Sequence, residues 1–196
     1  KFGGLLTFAS NTSTEITAPG QPTIADLKNL YRFDAISATT KVYGVIGWPV
    51  EHSRSPHVHN AGFGAIGFDG VYLPLPIPPE HEHFKATIGA MIDAKGLGFR
   101  GASVTLPHKE NLLRFVQERG GRIDALAGRI GAANTLIVGS GRGISCANTD
   151  APAAVDALCE GMRIPREALR EKRIAVLGAG GAARAVVGGL IEAGAT

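Results

Sequence analysis

The chain has 196 residues, 44% of them hydrophobic and 19% charged, which excludes a disordered polypeptide and fits one large or two small domains. Its net charge of +3 is spread thinly, with no basic run suited to a nucleic-acid groove and no apolar run near the ~20 residues of a membrane span. Cys146 and Cys159 lack metal-ligand or redox spacing, so the composition reads as a reduced, cytoplasmic protein without nucleic-acid or membrane partners.

Leu5, Leu6 and Phe8 suggest a short buried strand, already under way at the first residue. Lys1 is not a methionine, and the chain stops at Thr196 just after a helix, so a piece of a longer polypeptide is expected. After the polar stretch Ser10 to Glu15, Ala18-Pro19-Gly20 turns the chain, and Thr23 can cap a helix with Ile24, Leu27, Leu30 and Tyr31 on its apolar face. Residues 37–41 read as a linker.

From Val42 onward, strands and helices alternate. Strands are expected over Val42–Gly47, Val71–Pro76 and Arg100–Thr105. Ala132–Val138 and Ile144–Asn148 form a pair joined by the Gly139–Gly143 turn, and Arg173–Leu177 is a further strand. Ser55-Pro56 reads as the N-cap and first residue of one helix, Phe84, Ile88, Met91 and Ile92 mark a second over residues 79–95, and Pro107 starts a third. Ala151 to about Glu160 is helical, with Gly161 as its C-cap, and a last helix covers Gly181 to about Ala193. Such alternation predicts an α/β fold: a three-layer, mainly parallel sheet covered by helices on both faces.

Two groups of residues carry chemistry. Gly178-Ala179-Gly180-Gly181-Ala182-Ala183 follows an apolar strand and opens a helix, the context of a dinucleotide-binding loop. Gly178 allows the tight turn, Gly180 lets backbone approach a pyrophosphate, and amides at the helix start receive its charge. The alternative is a tight turn with no ligand. The residue that separates NAD from NADP should lie about 20 positions on, beyond Thr196. The second group comprises Ser53-Arg54-Ser55-Pro56, Thr105 to Lys109, Ala132 to Thr135 and Asn148-Thr149-Asp150. Three of these clusters follow strands, where ligands of open α/β sheets sit, so they could converge on one crevice. Paired hydroxyls at a helix start suit a carboxylate, Asn134 can orient a ring hydroxyl, and Lys109 with Asp150 can hold and pass a proton. A surface salt bridge with ordinary caps is the competing account.

In order along the chain, Tyr43-Gly44-Val45-Ile46-Gly47-Trp48-Pro49-Val50 with Ser53-Arg54-Ser55-Pro56, Ser103-Val104-Thr105-Leu106-Pro107-His108-Lys109, Gly131-Ala132-Ala133-Asn134-Thr135, Asn148-Thr149-Asp150 and Gly178–Arg184 resemble the signature elements of shikimate dehydrogenases. The resemblance implies a substrate-binding domain over residues 42–168 and the beginning of an NADP-binding Rossmann domain over residues 169–196. It further implies that Ser53 and Ser55 bind the shikimate carboxylate, and that Thr105, Asn134 and Asp150 hold ring hydroxyls. Lys109 would exchange the proton with help from Asp150, and residues Gly178, Ala179, Gly180, Gly181, Ala182 and Ala183 would take the NADP phosphates. The implied activity is reversible NADPH-dependent reduction of 3-dehydroshikimate to shikimate; a quinate/shikimate dehydrogenase and a non-catalytic shikimate-binding module stand as alternatives. Ser103 departs from the family's usual Asn, and Ala151-Pro152 departs from a glycine-containing stretch.

Residues 1–36 resemble the tail of type I 3-dehydroquinate dehydratases. Leu6-Thr7-Phe8-Ala9 looks like the last barrel strand, and Thr17-Ala18-Pro19-Gly20-Gln21 like the substrate loop, with Thr17 and Gln21 as implied contacts. A fused dehydratase–dehydrogenase is the expectation. The pairs His57/His59 and His81/His83 read as solvated surface rather than metal ligands, because i,i+2 spacing splits them across a helix. Trp48 reads as core or crevice wall, and Cys146 as a small packed residue.

Overall fold

β-branched and aromatic residues build the first strand, and the sheet grows outward from it. The computed structural model describes residues 9–14, 18 and 20–196. β1 (Lys41–Gly47) pairs in parallel with β2 (Gly70–Pro76) on one side and β3 (Phe99–Val104) on the other. The short β4 (Arg122–Ile123) lies at the far edge, beyond the hairpin of β5 (Thr135–Val138) and β6 (Ile144–Ala147). The order is β2-β1-β3-β5-β6-β4. Three pairings are parallel, and the two that involve β5 are antiparallel.

Side chains alternate across the sheet. One face buries Val42, Ile46, Val71, Ala102 and Val104 against α2 (His81–Asp93) and α3 (Lys109–Glu118), through Phe84, Ile88, Ile92, Leu112, Phe115 and Val116. The other face turns Tyr43, Val45 and Tyr72 toward Phe63 of α1 (Ser55–Ala65). The three expected layers are therefore present. α4 (Ala125–Ile130), α5 (Asp150–Met162) and α6 (Gly181–Glu192) pack together beside them, through Leu126, Ile130, Ala151 and Ala185 and through Val155, Cys159 and Leu190.

Several boundaries differ from the sequence reading. Residues 173–177 form no strand: Ile174 N–H donates to the Thr196 carbonyl at 3.0 Å and Thr196 N–H to the Lys172 carbonyl at 3.3 Å. That is one rung of parallel pairing, and β propensity alone cannot supply the lateral partner that a strand requires. α1 begins at Ser55, with Arg54 as its cap; Ser53 Oγ accepts the Ser55 N–H at 3.3 Å. Pro107 lies in a turn ahead of α3, after a cis Leu106–Pro107 bond, because the Thr105 carbonyl first closes on His108 N–H at 2.9 Å. α5 passes through Gly161 and stops at Arg163, which takes the left-handed conformation at φ 54°. The Ile164 N–H then reaches back to the Cys159 carbonyl at 3.0 Å, and Ile164 packs on the same cluster, a Schellman-type ending.

In the N-terminal segment, Thr23 does cap. Its Oγ1 accepts the Asp26 N–H at 2.9 Å, and the Asp26 carboxylate returns to the Thr23 N–H at 3.1 Å, a reciprocal capping box. The helix so opened is a short π turn, Asp26–Leu30. Arg32 joins it to the sheet by donating to the carbonyls of Phe68 and Gly70 at 3.1 and 2.7 Å. The expected strand at Leu5–Phe8 and the residue Thr17 lie outside the described residues.

Candidate active site

Backbone hydrogen bonds gather the four polar clusters at one edge of the sheet. Thr105 N–H donates to Ile46 O at 2.9 Å, which places the end of β3 beside the end of β1. Val104 N–H donates to Asn134 O at 2.7 Å, Asn134 N–H to Ala147 O at 3.0 Å, and Ala133 N–H to Lys109 O at 2.9 Å. Only three clusters follow strands and should share an edge. The fourth, around Asn134, precedes β5, but β5 runs antiparallel to β3 and so brings its start to the same edge.

There the side chains enclose a cavity of about 310 Å³, lined by Ser53, Ser55, Thr105, Lys109, Asn134 and Asp150 together with Ser103 and Thr149. All six side chains singled out for substrate or catalysis border it. Lys109 Nζ donates to Asp150 Oδ2 at 2.5 Å, and Asn134 Nδ2 donates to Asp150 Oδ1 at 2.8 Å, so both carboxylate oxygens are engaged. Asn134 is itself clamped: its Oδ1 accepts the Thr149 N–H at 2.9 Å and the Thr135 hydroxyl at 3.0 Å. With only 15% of its side chain exposed, Lys109 is sheltered, and an ammonium carries more protons than Asp150 alone can accept. The arrangement can hold an anion on hydroxyls and deliver a proton beside them.

Two supporting residues were not assigned roles from the sequence. Asn148 is buried; its Nδ2 donates to Ala132 O at 3.0 Å while its Oδ1 accepts the Asp150 and Ala151 N–H groups at 3.1 and 3.2 Å. It caps α5 and fixes the backbone of Asp150; an Asn two residues before a helix was a readable signal for that job. His108, fully buried, donates from Nε2 to Ile77 O at 2.7 Å and accepts from Asn111 Nδ2 at its Nδ1 at 3.0 Å. This pattern requires the neutral ring. No sequence signal distinguished it from an exposed histidine.

Burial holds the His108 pKa below its ordinary 6.5, opposed by the bond to Ile77 O and by Glu80. The unfolded chain therefore binds the proton more readily, so the contribution of neutral His108 to stability is full above about pH 6.5 and is lost as pH falls from there through its lower folded pKa. Melting curves between pH 7.5 and 5.5 should show stability falling on acidification, and the slope should flatten in His108→Gln. An equal slope in both proteins would remove His108 as its source.

The glycine loop stands at the start of α6. Gly178 adopts φ 121°, a conformation that side chains rarely take, and a Cβ at Gly180 or Gly181 would meet only open space. Gly180 is the extended N-cap, and Gly181, Ala182 and Ala183 begin the helix. Gly178, Ala179 and Ala183 border a second cavity of about 510 Å³ with Arg129 and Arg184. The Arg184 guanidinium hydrogen-bonds Glu110, the neighbour of Lys109, and so ties this helix to α3.

The remaining candidates are peripheral. Trp48 is 47% exposed and lies neither in the core nor among the cavity residues, contrary to expectation. His57 and His83 are exposed, and His59 stacks on Tyr72 with ring centroids 4.2 Å apart. Cys146 is buried and unpaired, its thiol pushed up to about 11 chiefly by burial, so it packs as a small neutral side chain. Among the described residues no His, Cys, Asp and Glu cluster has the makings of a metal site, and no helix is long and apolar enough to cross a membrane.

Known proteins resemble this chain in sequence and in fold. The chain is 40% identical over its full length to the chloroplastic bifunctional 3-dehydroquinate dehydratase/shikimate dehydrogenase of Arabidopsis thaliana, of which it spans 32%. It is 47% identical to the shikimate dehydrogenase (NADP(+)) of Methanocella arvoryzae, over 79% of this chain and 51% of that protein. A crystal structure of shikimate 5-dehydrogenase from Thermus thermophilus, in complex with NADP(H) and shikimate, superposes with a TM-score of 0.64 at 36% identity, over 80% of this chain and 54% of that one. The chain thus spans at most about half the length of these relatives. Residues 45–136 match the family model of the shikimate dehydrogenase substrate binding domain, the same family that these relatives carry in their names.

Proposed function

We propose that this chain is the shikimate-binding part of an NADP-dependent shikimate dehydrogenase. The observation that carries the reading is the Lys109–Asp150–Asn134 cluster, set beside the hydroxyls of Ser53, Ser55 and Thr105 in one cavity. A salt bridge on an open surface would need neither the cavity nor the amide clamp. Ser53 and Ser55, at the start of α1, bind the substrate carboxylate; Thr105, Asn134 and Asp150 hold ring hydroxyls and so fix which carbon faces the cofactor. In the reducing direction the Lys109 ammonium donates a proton to the ketone oxygen as that oxygen becomes a hydroxyl, and in the reverse direction the neutral amine takes it back. Asp150 keeps Lys109 aimed at that oxygen, and Asn134 keeps Asp150 aimed at Lys109.

The loop Gly178–Ala183 fits the phosphates of a dinucleotide: unobstructed glycines, free amides at the start of a helix, and Arg184 close by. When bound, NADPH supplies the hydride. The preference for NADP is supported by the relatives' names.

The domain scheme is part of the same proposal: residues 42–168 bind substrate, residues 169–196 begin the cofactor domain, and residues 37–41 link the former to a dehydratase tail over residues 1–36. The bifunctional relative supports the fusion, since it aligns with the whole chain. Its chloroplastic location means that the reduced compartment suggested by two free buried cysteines need not be the cytoplasm.

Binding tests the reading. In calorimetric titration the chain should bind shikimate, and Ser55→Ala should weaken it by about 1–3 kcal/mol through loss of a hydrogen bond to the carboxylate. Absence of shikimate binding by the folded chain would overturn the assignment, and an unchanged affinity in Ser55→Ala would remove that serine from the cradle.

A further inference from the structure

Behind the cavity wall formed by Ser55 and Ser103 lies a tyrosine that the catalytic account does not use. Tyr72 is only 4% exposed, and its position is fixed from three sides. The Asn60 side chain donates to its carbonyl at 2.7 Å and accepts its N–H at 2.8 Å. The His59 ring stacks on it with an interplanar angle of 17°. Tyr43 and Tyr72 are register partners, as are Val45 and Ser103, so Tyr72 and Ser103 project from the same face of the sheet, one strand apart.

The phenol oxygen is buried, yet no hydrogen bond of ordinary geometry reaches it from the described residues. Burial raises its pKa, and hydrogen-bonding contact with Ser103 first and Ser55 second tempers that rise, so both serines lie within reach of the phenol although neither is aligned for an ordinary bond. Ser55 and Ser103 in turn line the cavity with Lys109 and Asp150. A buried hydroxyl without a partner calls for an explanation, because proteins rarely leave one so.

We infer that Tyr72 is a positioning residue for the carboxylate cradle: when an anion occupies the cavity, its hydroxyl donates to Ser55 Oγ, and the Ser55 proton is thereby turned outward to the anion. Tyr72 itself does not touch the ligand. A serine hydroxyl has one proton and two acceptor sites, so a donor behind it removes the orientation in which the proton points into the protein. This inference rests on the reading of the cavity as a carboxylate site.

The test is calorimetric titration of shikimate and of its methyl ester into the chain and into Tyr72→Phe, Ser55→Ala and the double variant. Tyr72→Phe should bind shikimate about tenfold more weakly and the ester within about twofold of the parent, with its melting temperature kept. In the Ser55→Ala background the same change should cost less than about twofold, since the hydroxyl it orients is gone. Equal losses for both ligands, an undiminished loss without Ser55, or unchanged shikimate affinity would overturn the inference and leave the carboxylate site standing. Failure of the parent chain to bind shikimate would overturn both. As an independent readout, a label on the tyrosine Cζ should shift at Tyr72 when the parent chain is saturated with shikimate but not with the ester; an unmoved signal also counts against the relay.

Discussion

Lys109→Ala should lower turnover in 3-dehydroshikimate reduction by about 10²–10⁴-fold, while the Michaelis constant changes far less. The assay is NADPH oxidation by the complete gene product, with NADH alongside. The magnitude follows from what the lysine supplies. Hydride addition to a ketone leaves charge on oxygen, and a positioned ammonium neutralises it as it forms, so the contact is strongest in the transition state. Ser55 and Thr105 offer hydroxyls, which are far weaker acids. Asp150 accepts from Lys109 at 2.5 Å and is anchored by Asn134 at 2.8 Å, so it has no part to spare as a replacement donor. A variant that lost affinity and turnover in equal measure would make Lys109 a binding residue instead. Activity with NADH equal to that with NADPH would overturn the cofactor assignment.

Gly101→Ala should destabilise the fold by about 3–4 kcal/mol and remove shikimate binding with it. Gly101 sits in β3 at φ 153°, and a Cβ there would lie 2.4 Å from the Leu136 carbonyl oxygen of β5. That neighbour is backbone and cannot swing aside. The adjacent rungs, Ala102 with Leu136 and Ser103 with Thr135, hold β5 against β3 and deliver Asn134 to Asp150. Prising the two strands apart therefore strikes stability and site together. Urea denaturation and shikimate titration on the same preparation would show both effects. A variant with the parent's midpoint would mean that β3 and β5 can separate without cost.

Much of this architecture was legible because side-chain pattern and local turn chemistry coincide in it. Val42, Val45 and Ile46 announced β1, and the glycine-rich turn at 139–143 announced a hairpin. Phe84, Ile88 and Ile92 gave α2 at helical spacing, and all three are buried. The site residues were legible through resemblance, and the cavity gathers them. What could not be read was pairing. Asn134 precedes its strand, and only the direction of β5, a non-local property, brings it to the others. The run Ile174–Leu177 has the residues of a strand, yet Leu177 is almost wholly exposed because no neighbour covers it. α4 escaped notice for a different reason. At six residues it is too short to show a period, although Asp124 capping Leu126 and Ala127 and the left-handed Gly131 mark both its ends.

The β5–β6 hairpin has a practical corollary. Its two ends differ in what they tolerate: the open end carries Asn134, Thr135 and Asn148 and is fixed by side-chain clamps, whereas the Gly139–Gly143 turn projects from the opposite edge, exposed throughout and closed by the Gly139–Gly143 backbone bond at 2.9 Å. The ladder between them sets the register, so extra residues between Ser140 and Gly141 would lengthen a surface loop without sliding one strand past the other. That turn is the natural attachment point for a reporter dye, an affinity tag or an inserted binding module that leaves the chemistry at the far end untouched.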